Sequence, residues 1–225
     1  MPIYVVGAGP GDPELITIKA ARILAEADVV AYGDLVPGEI ANKYAPRAVK
    51  LKIGHKRAEH DAAVAKLIDM AKTGLNVVVL KNGDPTIYGR GHQICEAAAA
   101  AGVPCRIIPG VSSFTAASAL FGVPLTGDSK ALALLSYPDV DAESLKAHRD
   151  DTIVIFMMGR RLPELGELLA SALCPHVLTY VCNRISTGGS CKPLKARELG
   201  GAEVEGPVLL IVKPRSCYME ANNTG

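Results

Sequence analysis

The chain has 225 residues, 49% hydrophobic and 21% charged, which is enough apolar material for one large α/β domain or two small ones and excludes a disordered chain. With 24 basic against 23 acidic side chains the net charge is +1, which excludes a dedicated nucleic-acid binder held by a basic surface. No apolar run approaches the roughly 18 residues that cross a bilayer, and the first residues lead straight into a strand pattern with no basic leader, so a cytoplasmic protein with no membrane partner is expected.

Ile3-Tyr4-Val5-Val6 reads as a buried strand that ends in Gly7-Ala8-Gly9-Pro10-Gly11-Asp12-Pro13. Apolar positions at Ile16, Ala20, Ile23 and Ala27 predict one helix over 13–27. Strands follow over 29–32 and 48–53, then an amphipathic helix over 61–73 with Asp61 as its N-cap and Gly74 as its stop. Val77-Val78-Val79-Leu80 is a fourth strand, followed by Asn82-Gly83-Asp84-Pro85-Thr86-Ile87-Tyr88-Gly89-Arg90-Gly91. An alanine-rich helix over 92–101 and a strand over 105–108 complete an N-terminal half in which strands and helices alternate, the signature of a mostly parallel sheet. After a helix over 112–120 and a connector at 124–128, strands recur over 131–136, 152–158, 177–182 and 207–213, with one long helix over 162–172. Fewer helices per strand predict a mixed sheet there. The expected organisation is two α/β domains, 1–112 and 113–225, with a loose tail from about residue 216.

Two glycine-rich turns directly after apolar strands point to one shared pocket, because ligands of open α/β sheets bind beyond the carboxyl ends of the strands. The first turn is not a dinucleotide fingerprint: Asp12 stands where the third glycine belongs, and Pro10 and Pro13 remove backbone donors that would cradle a pyrophosphate. Neither turn carries the Gly-Lys-Ser/Thr of a P-loop. A flat or zwitterionic ligand suits this wall better than a phosphate. In the second turn, Asp84 reads equally as an Asx-type cap or as the partner of a ligand ammonium or ribose hydroxyl. The six cysteines include no C-x-x-C pair, so no metal site is expected, and they read mainly as packing thiols in a reducing compartment, Cys217 being the one open to a disulfide.

Five ordered segments carry a resemblance that spans essentially the whole chain. They are Val6-Gly7-Ala8-Gly9-Pro10-Gly11-Asp12-Pro13-Glu14-Leu15, Asn82-Gly83-Asp84-Pro85 with Tyr88-Gly89-Arg90-Gly91, Ile108-Pro109-Gly110-Val111-Ser112-Ser113-Phe114, Ile155-Phe156-Met157-Met158-Gly159 and Gly206-Pro207-Val208-Leu209. Together they resemble the tetrapyrrole methylases of sirohaem and cobalamin synthesis. The resemblance implies a homodimeric two-domain enzyme that binds S-adenosylmethionine in a cleft between its domains and releases S-adenosylhomocysteine. It implies cofactor contacts at Pro10, Asn82, Gly83, Asp84, Ile87, Ser112, Ser113, Met158 and Arg184, with Asn82 standing where many members have glycine and Arg184 where some do. Lys56, Arg57, Tyr88 and Arg90 are the candidates for holding a carboxylate-rich reduced tetrapyrrole, with His55 and His60 nearby.

The uroporphyrinogen-III enzymes typically carry Tyr-Asp-Arg-Leu-Val after the second strand, and here the run is Tyr32-Gly33-Asp34-Leu35-Val36. The proposed base position is therefore Gly33, with Asp34 one step along, and His55 takes the place of the usual lysine. Asp34 and His55 are the candidate catalytic residues. The 110–114 turn and the 124–135 stretch resemble the corrin-ring enzymes that act on precorrin-2 at C20, whereas Gly89-Arg90-Gly91 resembles the uroporphyrinogen-III enzymes. A C20-type precorrin methylase is the favoured expectation and uroporphyrinogen-III methylation the alternative. A non-catalytic tetrapyrrole binder is the more remote one.

Overall fold

The computed structural model describes residues 1–54, 56–159 and 161–219, and they fall into two units that divide after Ser113. In the first, β1 (Ile3–Gly7), β2 (Val29–Tyr32), β3 (Val49–Lys52), β4 (Val77–Lys81) and β5 (Cys105–Ile108) form a sheet of order β3-β2-β4-β1-β5, parallel throughout. Strict alternation sends Val6, Val30, Val78 and Leu80 into a core on one face and Val5, Val29, Val77 and Val79 into a core on the other. The inner strands are therefore almost wholly apolar, as a parallel sheet covered on both faces requires; Lys81 at the end of β4 is an exception, and the edge strand β3 carries Lys50 and Lys52.

The first predicted helix is broken in the structure. Asp12 caps a short 3-10 turn, Pro13–Leu15, by accepting from the Glu14 amide at 2.8 Å, and the chain restarts as α1 (Ile18–Ala25), where the Thr17 hydroxyl accepts from the Ala20 amide. Two caps in succession cut the apolar pattern into two pieces. The sequence reading missed α2 (Gly38–Tyr44), whose Ile40 and Ala41 are buried. The next helix begins earlier than predicted: α3 runs Arg57–Lys72, so Asp61 lies inside it rather than capping it, and the buried His60 anchors its first turn. Then come α4 (Gly91–Ala100) and α5 (Ser113–Phe121).

The second unit contains β6 (Leu132–Ser136), α6 (Ala142–Ala147), β7 (Thr152–Phe156), α7 (Leu162–Ala172), β8 (Leu178–Asn183), β9 (Ser190–Lys195), a 3-10 turn at 196–201, β10 (Val208–Lys213) and α8 (Ser216–Met219). Its sheet order is β6-β7-β10-β8-β9, with β6 and β7 parallel and the remaining pairs antiparallel. Short α6, held by a reciprocal Asp141–Ser144 capping box, and polar β9 carry too little apolar pattern to have been read from sequence.

The cysteine reading is corrected. All six pair, as Cys95–Cys105, Cys174–Cys217 and Cys182–Cys191. Pairing follows from tertiary position: β8 and β9 put Cys182 opposite Cys191, and the segment after β10 returns Cys217 to Cys174 beyond α7. Residues 216–219 are accordingly a tethered helical turn instead of a loose tail, with the Ser216 hydroxyl oxygen accepting from the Leu178 amide at 2.8 Å; the rest of the predicted tail lies outside the described residues.

Candidate active site

β1, β4 and β5 are parallel neighbours, so their carboxyl ends and the turns that follow share one edge of the first sheet. Beyond that edge the backbones mesh. The Gly9 and Gly83 amides donate to each other's carbonyl oxygens at 3.3 and 2.7 Å, and a β-carbon on Gly7 would lie 2.6 Å from the Gly110 α-carbon. Gly83 has φ +65°, a left-handed backbone that a side chain strains, and the space above it faces Ser112 and Ser113. Asn82 stands in the same turn, and its Oδ1 is a buried acceptor with no hydrogen-bond donor among the described residues. Such an atom costs stability unless a bound group satisfies it.

The Asp84 carboxylate is a structural tie. One oxygen accepts from the Thr86 amide and hydroxyl, the other from the Gly110 amide at 3.0 Å, joining the β4 turn to the β5 turn. Burial pushes this carboxyl up, but the hydrogen bonds from Thr86 and Gly110 outweigh it and hold its pKa below the ordinary carboxylate value. Ile87, Ser112 and Ser113 are half-buried around the same turns, and Pro10 sits in the bend after Gly9. Tyr88 and Arg90 both have left-handed backbones, at φ 52° and 56°, and both are exposed. Two strained non-glycine residues in three positions mark a segment shaped by something other than folding stability.

At the end of β2, Asp34 is an exposed carboxylate 3.7 Å from Lys52, whose ammonium also lies over the Tyr32 ring. Lys56 and Arg57 begin α3 as solvated side chains paired with Glu59 and Asp61, the arrangement of an ordinary helix surface. His55 lies outside the described residues. In the second unit Met158 is fully buried in the core. Its neighbour Met157 is 61% exposed at φ 61°, and Arg184 has φ 43°. The left-handed turn at Arg184 is a conformation that favours glycine, which accounts physically for an alternative glycine at such a position.

A family model described as the tetrapyrrole (corrin/porphyrin) methylases matches residues 2–189. The chain belongs to that family. It is similar to the uroporphyrin-III C-methyltransferase of Thermus thermophilus, 34% identical with a TM-score of 0.79 over 94% of this chain and 92% of that one, in a structure complexed with S-adenosylhomocysteine. It is also similar to the cobalt precorrin-4 methyltransferase CbiF, 26% identical with a TM-score of 0.81 over 94% of each chain. Among curated proteins, a sirohaem synthase of Psychrobacter cryohalolentis is 37% identical over 76% of this chain and 35% of its own length. One of Pseudomonas fluorescens is 43% identical over 55% of this chain and 28% of its own. The matched segments thus span only about a quarter to a third of these curated relatives.

In this member of the family, sequence reasoning passed over Lys81, the last residue of β4. Its ammonium nitrogen is 3.2 Å from His60 Nε2 on α3, and His60 Nδ1 is 3.6 Å from an Asp61 oxygen. Burial, with Arg90 adding repulsion, brings the Lys81 pKa from its usual 10.5 to about 8. Burial, then Lys81 and Arg90, also hold the His60 pKa below its ordinary value despite the opposing pull of Asp61. A lysine that closes a run of valines looks like a strand-end surface residue, and nothing in the spacing revealed the histidine above it. Among the described residues no group of three or more metal-ligating side chains is present, and no helix is long and apolar enough to cross a membrane.

Proposed function

We propose that this chain is an S-adenosylmethionine-dependent C-methyltransferase of reduced tetrapyrroles, acting on a precorrin with C20 as the favoured carbon. The observation that carries the cofactor reading is the unsatisfied, buried Asn82 Oδ1 beside the left-handed Gly83 turn. An acceptor there suits the ammonium or ribose hydroxyl of such a cofactor, and the closely meshed glycines admit a ligand against bare backbone. Pro10, Gly83, Asp84, Ile87, Ser112 and Ser113 are proposed to hold it from the first unit. Met158, through its backbone, and Arg184 are kept as proposed contacts on the family resemblance.

When bound, the cofactor supplies a methyl group already activated by its sulfonium, so little side-chain chemistry is required. The chain's work is then to orient the accepting carbon and exclude water. Asp34, an exposed carboxylate at the end of β2, is the proposed acceptor of the ring proton. Tyr88 and Arg90 are the proposed substrate contacts, Lys56 and Arg57 weaker ones because acidic neighbours already pair with them. The functional unit is proposed to be a cytoplasmic homodimer.

The precorrin reading rests on Gly33, which leaves no carboxylate at the position where uroporphyrinogen-III enzymes typically carry one. Identity of 34% to the Thermus thermophilus enzyme favours uroporphyrinogen III as a second reading. Anaerobic incubation with S-adenosylmethionine and either uroporphyrinogen III or precorrin-2, followed by mass analysis, decides between them. A single added methyl on precorrin-2 alone is expected. Two methyls on uroporphyrinogen III would establish the second reading, and transfer to neither would remove both.

A further inference from the structure

We propose that Lys81, backed by His60 and standing beside Arg90, is a positioning residue that anchors a carboxylate of the tetrapyrrole substrate. The inference rests on the tetrapyrrole reading above and adds a residue to it.

An ammonium has three hydrogens to donate. Among the described residues, the one hydrogen-bond partner of the Lys81 ammonium is a histidine ring nitrogen. With Lys81 charged, that contact requires His60 to be neutral with Nε2 unprotonated, leaving Nδ1–H directed toward Asp61. The remaining charges around the amine do not compensate it. Arg90, on the loop into α4, is a second cation, and no ion pair occupies its guanidinium among the described residues. Of the strands on either side of β4, β1 brings Gly7 opposite Lys81, and β2, with Tyr32 opposite Leu80, runs on to Asp34, which lies 3.7 Å from Lys52. Asp61 touches His60 instead of Lys81, is well exposed, and is shared with Arg57. Among the described residues no carboxylate forms an ion pair with either Lys81 or Arg90, and each cation repels the other.

Lys81 is half-buried, and a folded chain meets an amine drawn out of water in one of two ways. It surrounds the ammonium with oxygen acceptors, or it lets the amine lose its proton. Among the described residues Lys81 has no oxygen acceptor, and a pKa of about 8 leaves it mainly charged at neutral pH. A carboxylate arriving from outside supplies the missing acceptor and reverses the repulsion from Arg90. His60 limits the rotation of the amine, so the two unused N–H groups are oriented before the ligand binds. Both the tetrapyrrole and the cofactor carry carboxylates. The tetrapyrrole is favoured because Arg90 and Tyr88, the proposed substrate contacts, lie on the adjoining loop.

The test is fluorescence titration of the protein with uroporphyrin III, a stable polycarboxylated porphyrin whose binding is read without turnover. Calorimetric titration with S-adenosylhomocysteine runs in parallel. For the unaltered protein, porphyrin affinity is expected to fall about tenfold between about pH 7 and about pH 9.5 as the amine deprotonates. Lys81→Met is expected to weaken porphyrin binding about tenfold or more at neutral pH and to flatten that profile, with S-adenosylhomocysteine affinity unchanged. Lys81→Arg, which stays charged, is expected to retain binding and lose the alkaline fall. An unaltered profile in Lys81→Met, or no porphyrin binding by the unaltered protein at any pH, overturns the anchor. A loss of S-adenosylhomocysteine affinity instead assigns the site to the cofactor's carboxylate and overturns the substrate assignment. Methyl transfer measured on the same samples judges the proposed reaction separately, since the anchor is read from binding alone.

Discussion

Each unit has a lysine closing a central strand, and the two are treated oppositely. Lys213, at the end of β10, is buried, and its ammonium donates to the Pro124 carbonyl, an Asp128 oxygen and the Thr152 hydroxyl at 2.8, 2.8 and 2.9 Å. Thr152 passes its own hydrogen to Ser129, and a cavity of about 110 Å³ beside this network is lined by the same residues. Lys81, at the end of β4, has one nitrogen acceptor and a cation for company. In the second unit three acceptors match three donors, and the charge pins the 124–128 connector to the sheet. In the first unit the mismatch is retained, which is the signature of a group kept for a ligand.

That contrast breaks most directly at Lys213. Lys213→Met leaves Asp128 without its cation and the Thr152 oxygen without a donor, and is expected to cost about 2–4 kcal/mol, somewhat reduced because Asp128 is partly exposed. Urea unfolding checks this, and an unchanged midpoint would show the network to be incidental. Lys81→Met should move the other way. Its pKa falls from 10.5 unfolded to about 8 folded, so the unfolded chain binds more protons between those values. The penalty is full below about pH 8 and disappears as pH rises through the unfolded pKa. The variant is therefore expected to gain about 1–3 kcal/mol near neutral pH and nothing above about pH 10.5. A loss of stability near neutral pH would mean that Lys81 is structurally satisfied after all.

The smallest effect concerns the turn that follows Lys81. A β-carbon at Gly83 would lie 3.6 Å from the Ser113 amide, an ordinary contact, so the cost of Gly83→Ala is backbone strain alone, about 1 kcal/mol. Affinity for S-adenosylhomocysteine, read by calorimetry, should nevertheless fall about tenfold, because the methyl group projects into the space proposed for the cofactor. Strain without loss of affinity would remove Gly83 from the cofactor site and leave the contrast resting on Lys81.

Much of the fold was legible because it is written in short-range pattern. The runs at 77–81 and 208–213 are too apolar to be anything but buried strands, and the change from alternating helices to sparse ones separates the parallel sheet from the mixed one. The glycine turns were legible for the same reason: Gly83 is needed where it stands because of its own φ. What failed were features weak in pattern or dependent on a competing cap. Thr17 interrupts an otherwise helical stretch, and α6 and β9 carry too few apolar residues to announce themselves.

The sequence by itself determined the apolar strands, though not the polar β9, which turns stand bare at their carboxyl ends, and the family to which the motif order belongs. These depend on residues close in the chain, where spacing and backbone preference are decisive. Only the tertiary structure decided that six scattered cysteines form three pairs, that Asp84 is committed to Thr86 and Gly110, and that His60 lies over Lys81. Apart from the local Asp84–Thr86 contact, which the Asx-type reading anticipated, each of these couples residues nine or more positions apart, through strand register and helix docking. A lysine reads the same in sequence whether it meets three oxygens or one imidazole. Its neighbours in space set its charge, and the charge sets what it can hold.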